Sequence, residues 1–157
     1  MKYEALLAES DDMGLLVKEK PLKYNNGRIM GNKIAIRKDI NTLAEKACVL
    51  AEELGHYHTS SGNILNQSDS ENRKQELKAR EWAYDRQVGL IGIVESFRAG
   101  CQTLSEMAEH LEVTEEFLKD ALERYRQKYG IYTTIDHYII YFEPHLAVAE
   151  MLTDGID

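Results

Sequence analysis

The stretch that decides the fold is Leu43-Ala44-Glu45-Lys46-Ala47-Cys48-Val49-Leu50-Ala51-Glu52-Glu53-Leu54-Gly55-His56. It contains no proline and is rich in Leu, Ala and Glu, which favour a helix. A step of about 100° per residue gives this helix one apolar face, made of Leu43, Ala47, Leu50, Leu54 and Tyr57. Because Glu52 and His56 are four residues apart, both project from a second face. Glu53 lies on the same side as His56, so two carboxylates and an imidazole border the apolar face.

This spacing is that of the zinc-peptidase motif His-Glu-x-x-His, with the first His replaced by Glu. In that motif the first and last residues hold the metal ion, and the Glu beside the first ligand is the general base. Glu52 and His56 are therefore candidate metal ligands, and Glu53 is the candidate base. Carboxylate oxygen is an acceptable zinc ligand, but a second carboxylate lowers the site's Lewis acidity and also admits manganese. The alternative interpretation is a buried helix with a solvated, glutamate-rich edge.

A second helix, predicted over about 70–88, offers a third ligand. Its residues are good helix formers, and Glu76, Ala79 and Ala83 share one face with Trp82 at its edge. Small alanines allow another helix to approach closely. Because catalytic zinc takes three protein ligands and keeps one open position, Glu76 is the candidate third ligand.

Two other side chains near the motif are weaker candidates. His58 lies two residues after His56, so on a continuous helix it points elsewhere. If the helix ends at Tyr57, His58 becomes an alternative ligand in place of Glu52. Glu45 falls two turns before the motif on the same face, where we expect it at the rim of the site.

The remaining sequence indicates an α+β fold in one domain of 157 residues. We expect a short helix over 1–12, followed by four segments. A β-hairpin with the motif helix covers 14–62, and the second-ligand helix with a core helix covers 70–102. A helix-turn-helix-like pair covers 103–129, and a C-terminal β segment covers 131–143. Asn-Asn-Gly and Gly-Asn turn signals place the first hairpin before the motif helix. The tail from Leu146 is expected to be frayed. The architecture predicted is a small antiparallel sheet packed against a mainly helical body.

The helix-turn-helix-like pair has two interpretations. Thr103-x-x-Glu106 is a capping box that begins the first helix, and Thr114 begins the second. In DNA-binding proteins of this kind, base-reading residues lie near the start of the second helix. Here that start carries Glu115 and Glu116, which would face phosphates. Packing within the domain is therefore favoured over sequence-specific DNA binding.

Composition excludes several classes of function. The net charge of −8 argues against nucleic acid held by a general electrostatic field. Acidic residues near the N-terminus argue against a signal peptide, and no apolar run approaches the roughly 20 residues of a membrane span. The two cysteines, Cys48 and Cys101, are expected to be reduced thiols in a cytoplasmic protein.

The two helices together carry a resemblance. The run Ala51-Glu52-Glu53-Leu54-Gly55-His56, followed by Glu76-x-x-Ala79-x-x-Trp82-Ala83, resembles the ImmA/IrrE family of metallopeptidases. In that family the motif helix usually reads His-Glu-Leu-Gly-His, and a later Glu-x-x-Ala-Asn-x-Phe-Ala supplies the third ligand. The chain is similar to the short members found in prophages and integrative elements of Gram-positive bacteria. The resemblance covers about residues 24–143, and Glu52 is its main departure.

This resemblance implies a zincin-like fold and a metal-dependent endopeptidase with zinc as its cofactor. Its expected substrate is a helix-turn-helix repressor, with no direct contact to nucleic acid or membrane. Two alternatives remain open. One is a catalytically inactive relative that binds a repressor or another protein, which the replacement at Glu52 favours. The other is a small DNA-binding regulator that uses residues 103–129.

Overall fold

The computed structural model describes residues 2–60 and 69–152. Within these ranges the chain forms six helices and six strands. In chain order they are α1 Lys2–Asp12, β1 Leu16–Lys20, β2 Gly27–Met30, β3 Lys33–Arg37, α2 Leu43–Thr59, α3 Asp69–Gln87, α4 Gly89–Arg98, α5 Leu104–Leu111, α6 Glu115–Tyr129, β4 Tyr132–Ile135, β5 Tyr138–Tyr141 and β6 Ala147–Glu150. No helix in these ranges is long and apolar enough to cross a bilayer.

The first sheet has the strand order β1-β3-β2. As predicted, β2 and β3 form an antiparallel hairpin, with Ile29 opposite Ile34. The predicted sheet was antiparallel, and β1 departs from this because it pairs in parallel with β3 and places Val17 opposite Ile34. Alternating polarity shows which face of a strand is buried but not which neighbour it pairs with, so the sequence pattern did not reveal this order.

The motif helix α2 lies at the centre of the core. Thr42 caps it by accepting a hydrogen bond from the backbone N–H of Glu45. The predicted apolar face is buried in the middle of the helix, at Ala47, Leu50 and Leu54. At the two ends of this face, Leu43 and Tyr57 are 46% and 42% exposed.

The pair α5–α6 packs against the rest of the helical body. Phe117 of α6 meets Tyr84 of α3 edge to face, with ring centroids 5.2 Å apart. Tyr125 donates a hydrogen bond to Asp85, with an O–O distance of 2.9 Å. Late in α6, Arg124 pairs with Glu81 of α3. The apolar face of α6 is therefore part of the core.

The second sheet is an antiparallel meander, β4-β5-β6. The turn between β4 and β5 is at Asp136, as predicted, and this residue has a φ of 51°. The expectation of a frayed tail from Leu146 is wrong up to Glu150, since β6 pairs with β5 and Val148 lies opposite the fully buried Ile140. A strand of four residues that follows Pro144 is too short to give a clear alternating pattern. Residues 153–157 lie outside the described ranges.

Candidate active site

The helices α2 and α3 touch through their backbones. A Cβ atom built on Gly55 would lie only 2.2 Å from the carbonyl oxygen of Ala79. Ala51, Ala79 and Ala83 are also fully buried along this contact. Small residues on both helices therefore set the distance between them, as the two alanines of the second helix predicted.

This close approach brings two of the predicted ligands together. His56 Nε2 lies 3.2 Å from Glu76 Oε2, although the residues belong to different helices. The other carboxylate oxygen of Glu76 lies 3.5 Å from Arg80 Nε, one turn along α3. The imidazole is about one quarter exposed and the carboxylate 44% exposed, so both are accessible from solvent.

The predicted base, Glu53, lies beside the edge strand β2. A Cβ atom built on Gly27 would be 3.0 Å from Glu53 Oε1. Glu53 lines two adjoining clefts of about 340 Å³ and 470 Å³. The first is bordered by residues of α6, and the second by His56 and Tyr57. Glu53 therefore lies between an edge strand and both openings.

The charge around Glu53 is strongly negative. The first cleft has five acidic lining residues and no basic one: Glu45, Glu52, Glu53, Glu116 and Asp120. Burial, followed by the charges of Glu52 and Glu76, raises the pKa of Glu53 to about 7. Burial also raises the pKa of Glu52; the charge of Arg80 opposes this rise, and those of Glu76 and Asp120 add to it.

Two of the donor atoms are spaced as a metal ion requires. Nitrogen and oxygen ligands about 2.0–2.1 Å from a tetrahedral zinc ion lie about 3.3 Å apart. The observed 3.2 Å between His56 and Glu76 fits two such positions. However, residues 2–60 and 69–152 contain no group of three or more His, Cys, Asp or Glu side chains placed to hold a metal ion. Glu52 lines the first cleft and His56 lines the second, and the role of Glu52 as a ligand stays a prediction.

His58 does not take the place of Glu52 in this structure. That alternative required α2 to end at Tyr57, and the helix continues to Thr59. The His58 ring stacks on Trp82 of α3, with centroids 4.7 Å apart and an angle of 21° between the planes. Its side chain therefore packs beside the α2–α3 contact.

Three features of the site were not predicted from the sequence. Asp120 and Glu116 reach the first cleft from α6, which is more than 50 residues away in the chain. Gly27 allows β2 to pass close to Glu53. For Arg80, the spacing of four residues from Glu76 was the available signal, because oppositely charged residues at that spacing pair on a helix.

Comparison with known protein families decides the classification. The family model of the IrrE N-terminal-like domain, peptidase family M78, matches residues 10–128, which is well over half the chain. The chain belongs to this family. Comparison with curated proteins finds none that matches.

Membership of family M78 confirms the resemblance to ImmA/IrrE-type metallopeptidases and the predicted zincin-like α+β fold. The match includes the motif helix α2, the helix α3 that carries Glu76, and almost all of α6. The chain therefore has a metallopeptidase-type domain, of a family that generally uses a divalent metal ion.

Proposed function

We propose that this M78 member is a metal-dependent endopeptidase that cleaves a helix-turn-helix repressor in the cytoplasm and so releases a mobile element from repression. The enzymatic part of this proposal rests on one observation: His56 Nε2 lies 3.2 Å from Glu76 Oε2, next to the half-buried Glu53. The repressor and the mobile element follow from the resemblance to the short prophage members.

The residues His56 and Glu76 would hold the metal ion, with Glu52 as the third protein ligand. When bound, zinc or manganese supplies Lewis acidity to the scissile carbonyl. Arg80 pairs with Glu76 and so orients its carboxylate.

Glu53 acts as the general base and then as the general acid. It accepts a proton from the attacking water and delivers it to the leaving amine. A carboxyl group with a pKa of about 7 suits both steps, since it is neither fully ionised nor fully protonated at neutral pH. Burial is the main cause of this raised pKa, and the negative charges of Glu52 and Glu76 add to it.

The edge strand β2 gives a protein substrate a place to bind. In the described part of the chain, β2 pairs only with β3, so its other edge is free. An extended peptide that adds to this edge passes both clefts and Glu53. The acidic lining of the first cleft favours substrate segments that carry Lys or Arg near the scissile bond.

The test uses the purified full chain with zinc or manganese and the repressor encoded nearest to its gene. Cleavage is followed by mass spectrometry of the fragments. Glu53→Gln removes the base but keeps the shape of the side chain, and we expect it to slow cleavage by about 100-fold or more. Glu45→Gln removes another carboxylate from the same cleft and serves as the matched control. If Glu53→Gln cleaves as fast as the parent, the assignment of the base is wrong.

One observation favours a second candidate function, a catalytically inactive relative that binds the repressor. Glu52 stands where the family motif has His, and the described residues lack a three-ligand group. This candidate predicts a stable complex with the repressor and no fragments with either metal. A DNA-binding regulator remains the third alternative, and salt-dependent binding of duplex DNA by the full chain would support it.

A further inference from the structure

The side of the first sheet that faces away from α2 has an unusual surface. Side chains alternate along each strand, and the pairing register places eight of them on this side, here called the outer sheet face: Leu16, Lys18, Lys20, Arg28, Met30, Lys33, Ala35 and Arg37. In one row across the sheet, Leu16 and Met30 flank Lys33; in the next, Lys18 and Arg28 flank Ala35. The opposite side buries Ile34 and Ile36 in the core.

The outer sheet face is positively charged although the chain is acidic. It carries five cationic side chains, of which Arg37 pairs with Asp39 at 3.4 Å. The other four are exposed, and none of them forms an ion pair with an acidic residue in ranges 2–60 and 69–152. The only acid in these strands, Glu19, belongs to the other side, where it pairs with Lys46. In a protein of net charge −8, four unpaired cations on one face favour a negatively charged partner.

The same face also exposes apolar surface. Leu16 is 48% exposed and Met30 is 63% exposed. Together with Leu22 and Ala35 they line a hollow of about 450 Å³, whose margin carries the cationic side chains. In the described part of the chain, α1 and α2 pack against this sheet from its other side only.

The dimensions select the kind of partner. Three strands about 4.8 Å apart make a surface about 10 Å wide, which matches the diameter of one helix. An apolar floor between cations complements a helix with an apolar stripe flanked by Asp and Glu. Duplex DNA would instead bring phosphates onto Leu16 and Met30. A bilayer is flat and does not fill a hollow.

We propose that the outer sheet face docks an acidic amphipathic helix of a protein partner. The docked helix runs along the strands, over the central strand β3, on the side away from Glu53. Binding at this face therefore does not depend on the peptidase function proposed above. The apolar side chains of the docked helix fill the hollow, and its carboxylates pair with Lys18, Arg28 and Lys33.

The test maps binding on the full chain by amide chemical shifts in NMR spectra. The probe is a synthetic peptide of about 18 residues, five helical turns, with Leu along one face and Glu on both sides of it. A scrambled peptide of the same composition is the control for charge. We expect shifts at the amides of β1, β2 and β3, and binding at least about tenfold weaker for the scrambled peptide.

Charge-reversal variants make the test specific. Lys18→Glu with Lys33→Glu is expected to weaken binding of the amphipathic peptide at least about tenfold. Lys74→Glu with Lys78→Glu changes the net charge equally at exposed positions of α3, and should leave binding within about twofold. Glu53→Gln should bind like the parent, which separates this proposal from the enzymatic one.

Four results would overturn the proposal. The first is no shift on these strands at about 1 mM amphipathic peptide. The second is equal binding of the scrambled peptide, and the third is equal loss in the control variant. The fourth is that duplex DNA, phosphatidylglycerol vesicles or a second copy of the chain occupies this face more tightly than the peptide.

Discussion

Replacing Gly55 with alanine tests the contact on which the site depends. The new Cβ atom would lie 2.2 Å from the carbonyl oxygen of Ala79, whereas ordinary contact begins at 3.4 Å. The oxygen belongs to the backbone of α3, so a side-chain rotation cannot relieve the clash. The two helices must separate locally by about 1.2 Å, and His56 and Glu76 separate with them.

The expected energy follows from two opposing effects. Overpacking of a close contact costs up to about 3 kcal/mol. Alanine in place of glycine stabilises a helix by about 1 kcal/mol. The net loss in the free energy of unfolding is therefore about 2 kcal/mol, which lowers the melting temperature of a domain of this size by roughly 4–8 °C.

Circular dichroism during heating measures this change, and Gly92→Ala is the matched control. A Cβ atom at Gly92 meets only the end of the Leu111 side chain, at 3.1 Å, and that side chain can rotate away. Gly92→Ala should therefore leave stability unchanged or raise it by up to about 1 kcal/mol. If Gly55→Ala melts at the same temperature as Gly92→Ala, the backbone contact does not limit the helix separation.

Three further predictions concern other parts of the molecule. Gln87 has a fully buried side-chain amide whose N and O atoms have no partner in the described structure. Gln87→Met should therefore raise the free energy of unfolding, measured by urea titration, by about 1–3 kcal/mol. An unchanged urea midpoint would contradict this. Gly27→Ala places a Cβ atom 2.7 Å from Val49 Cγ1 and 3.0 Å from Glu53 Oε1. It should therefore slow peptide cleavage while the melting temperature falls by a few degrees; unaltered cleavage would show that Glu53 need not keep its position beside β2. Burial raises the pKa of Cys48 from 9.0 to about 11, so the stabilisation from burying the neutral thiol is complete below pH 9 and lost as the pH rises to about 11. Urea titrations over this range should show a fall in the free energy of unfolding that is smaller in Cys48→Ala than in the parent. Equal falls in the two proteins would contradict the assignment.

The elements of the fold with strong local patterns were predictable from the sequence. The helix at Leu43–Thr59 followed from its residue types and spacing, and the hairpin before it followed from turn residues. The parallel pairing of β1 with β3 was not predictable, because it depends on strand order rather than on alternation. The strand β6 escaped prediction because four residues carry too little pattern.

The candidate site shows the same division between local and long-range information. Helical spacing pointed to Glu52 and His56, since helix geometry fixes the direction of each side chain. Glu76 was proposed as the third ligand because catalytic zinc takes three protein ligands and Glu76 shares a face with small alanines. The contact at Gly55 and Ala79 that brings them together was foreseen only as a close approach of small residues. The contribution of α6 to the acidic cleft was not foreseen, because tertiary packing brings Asp120 near Glu52 and no local pattern encodes it.

The metal content of the purified protein shows whether α2 and α3 together hold one divalent cation. Protein purified without chelator is analysed by elemental mass spectrometry, alongside His56→Ala, Glu76→Ala and the control Glu45→Ala. We expect about one zinc or manganese ion per chain in the parent and in Glu45→Ala. We expect His56→Ala and Glu76→Ala each to lose that ion. A parent that binds no metal, or variants at His56 and Glu76 that keep it, would contradict the account.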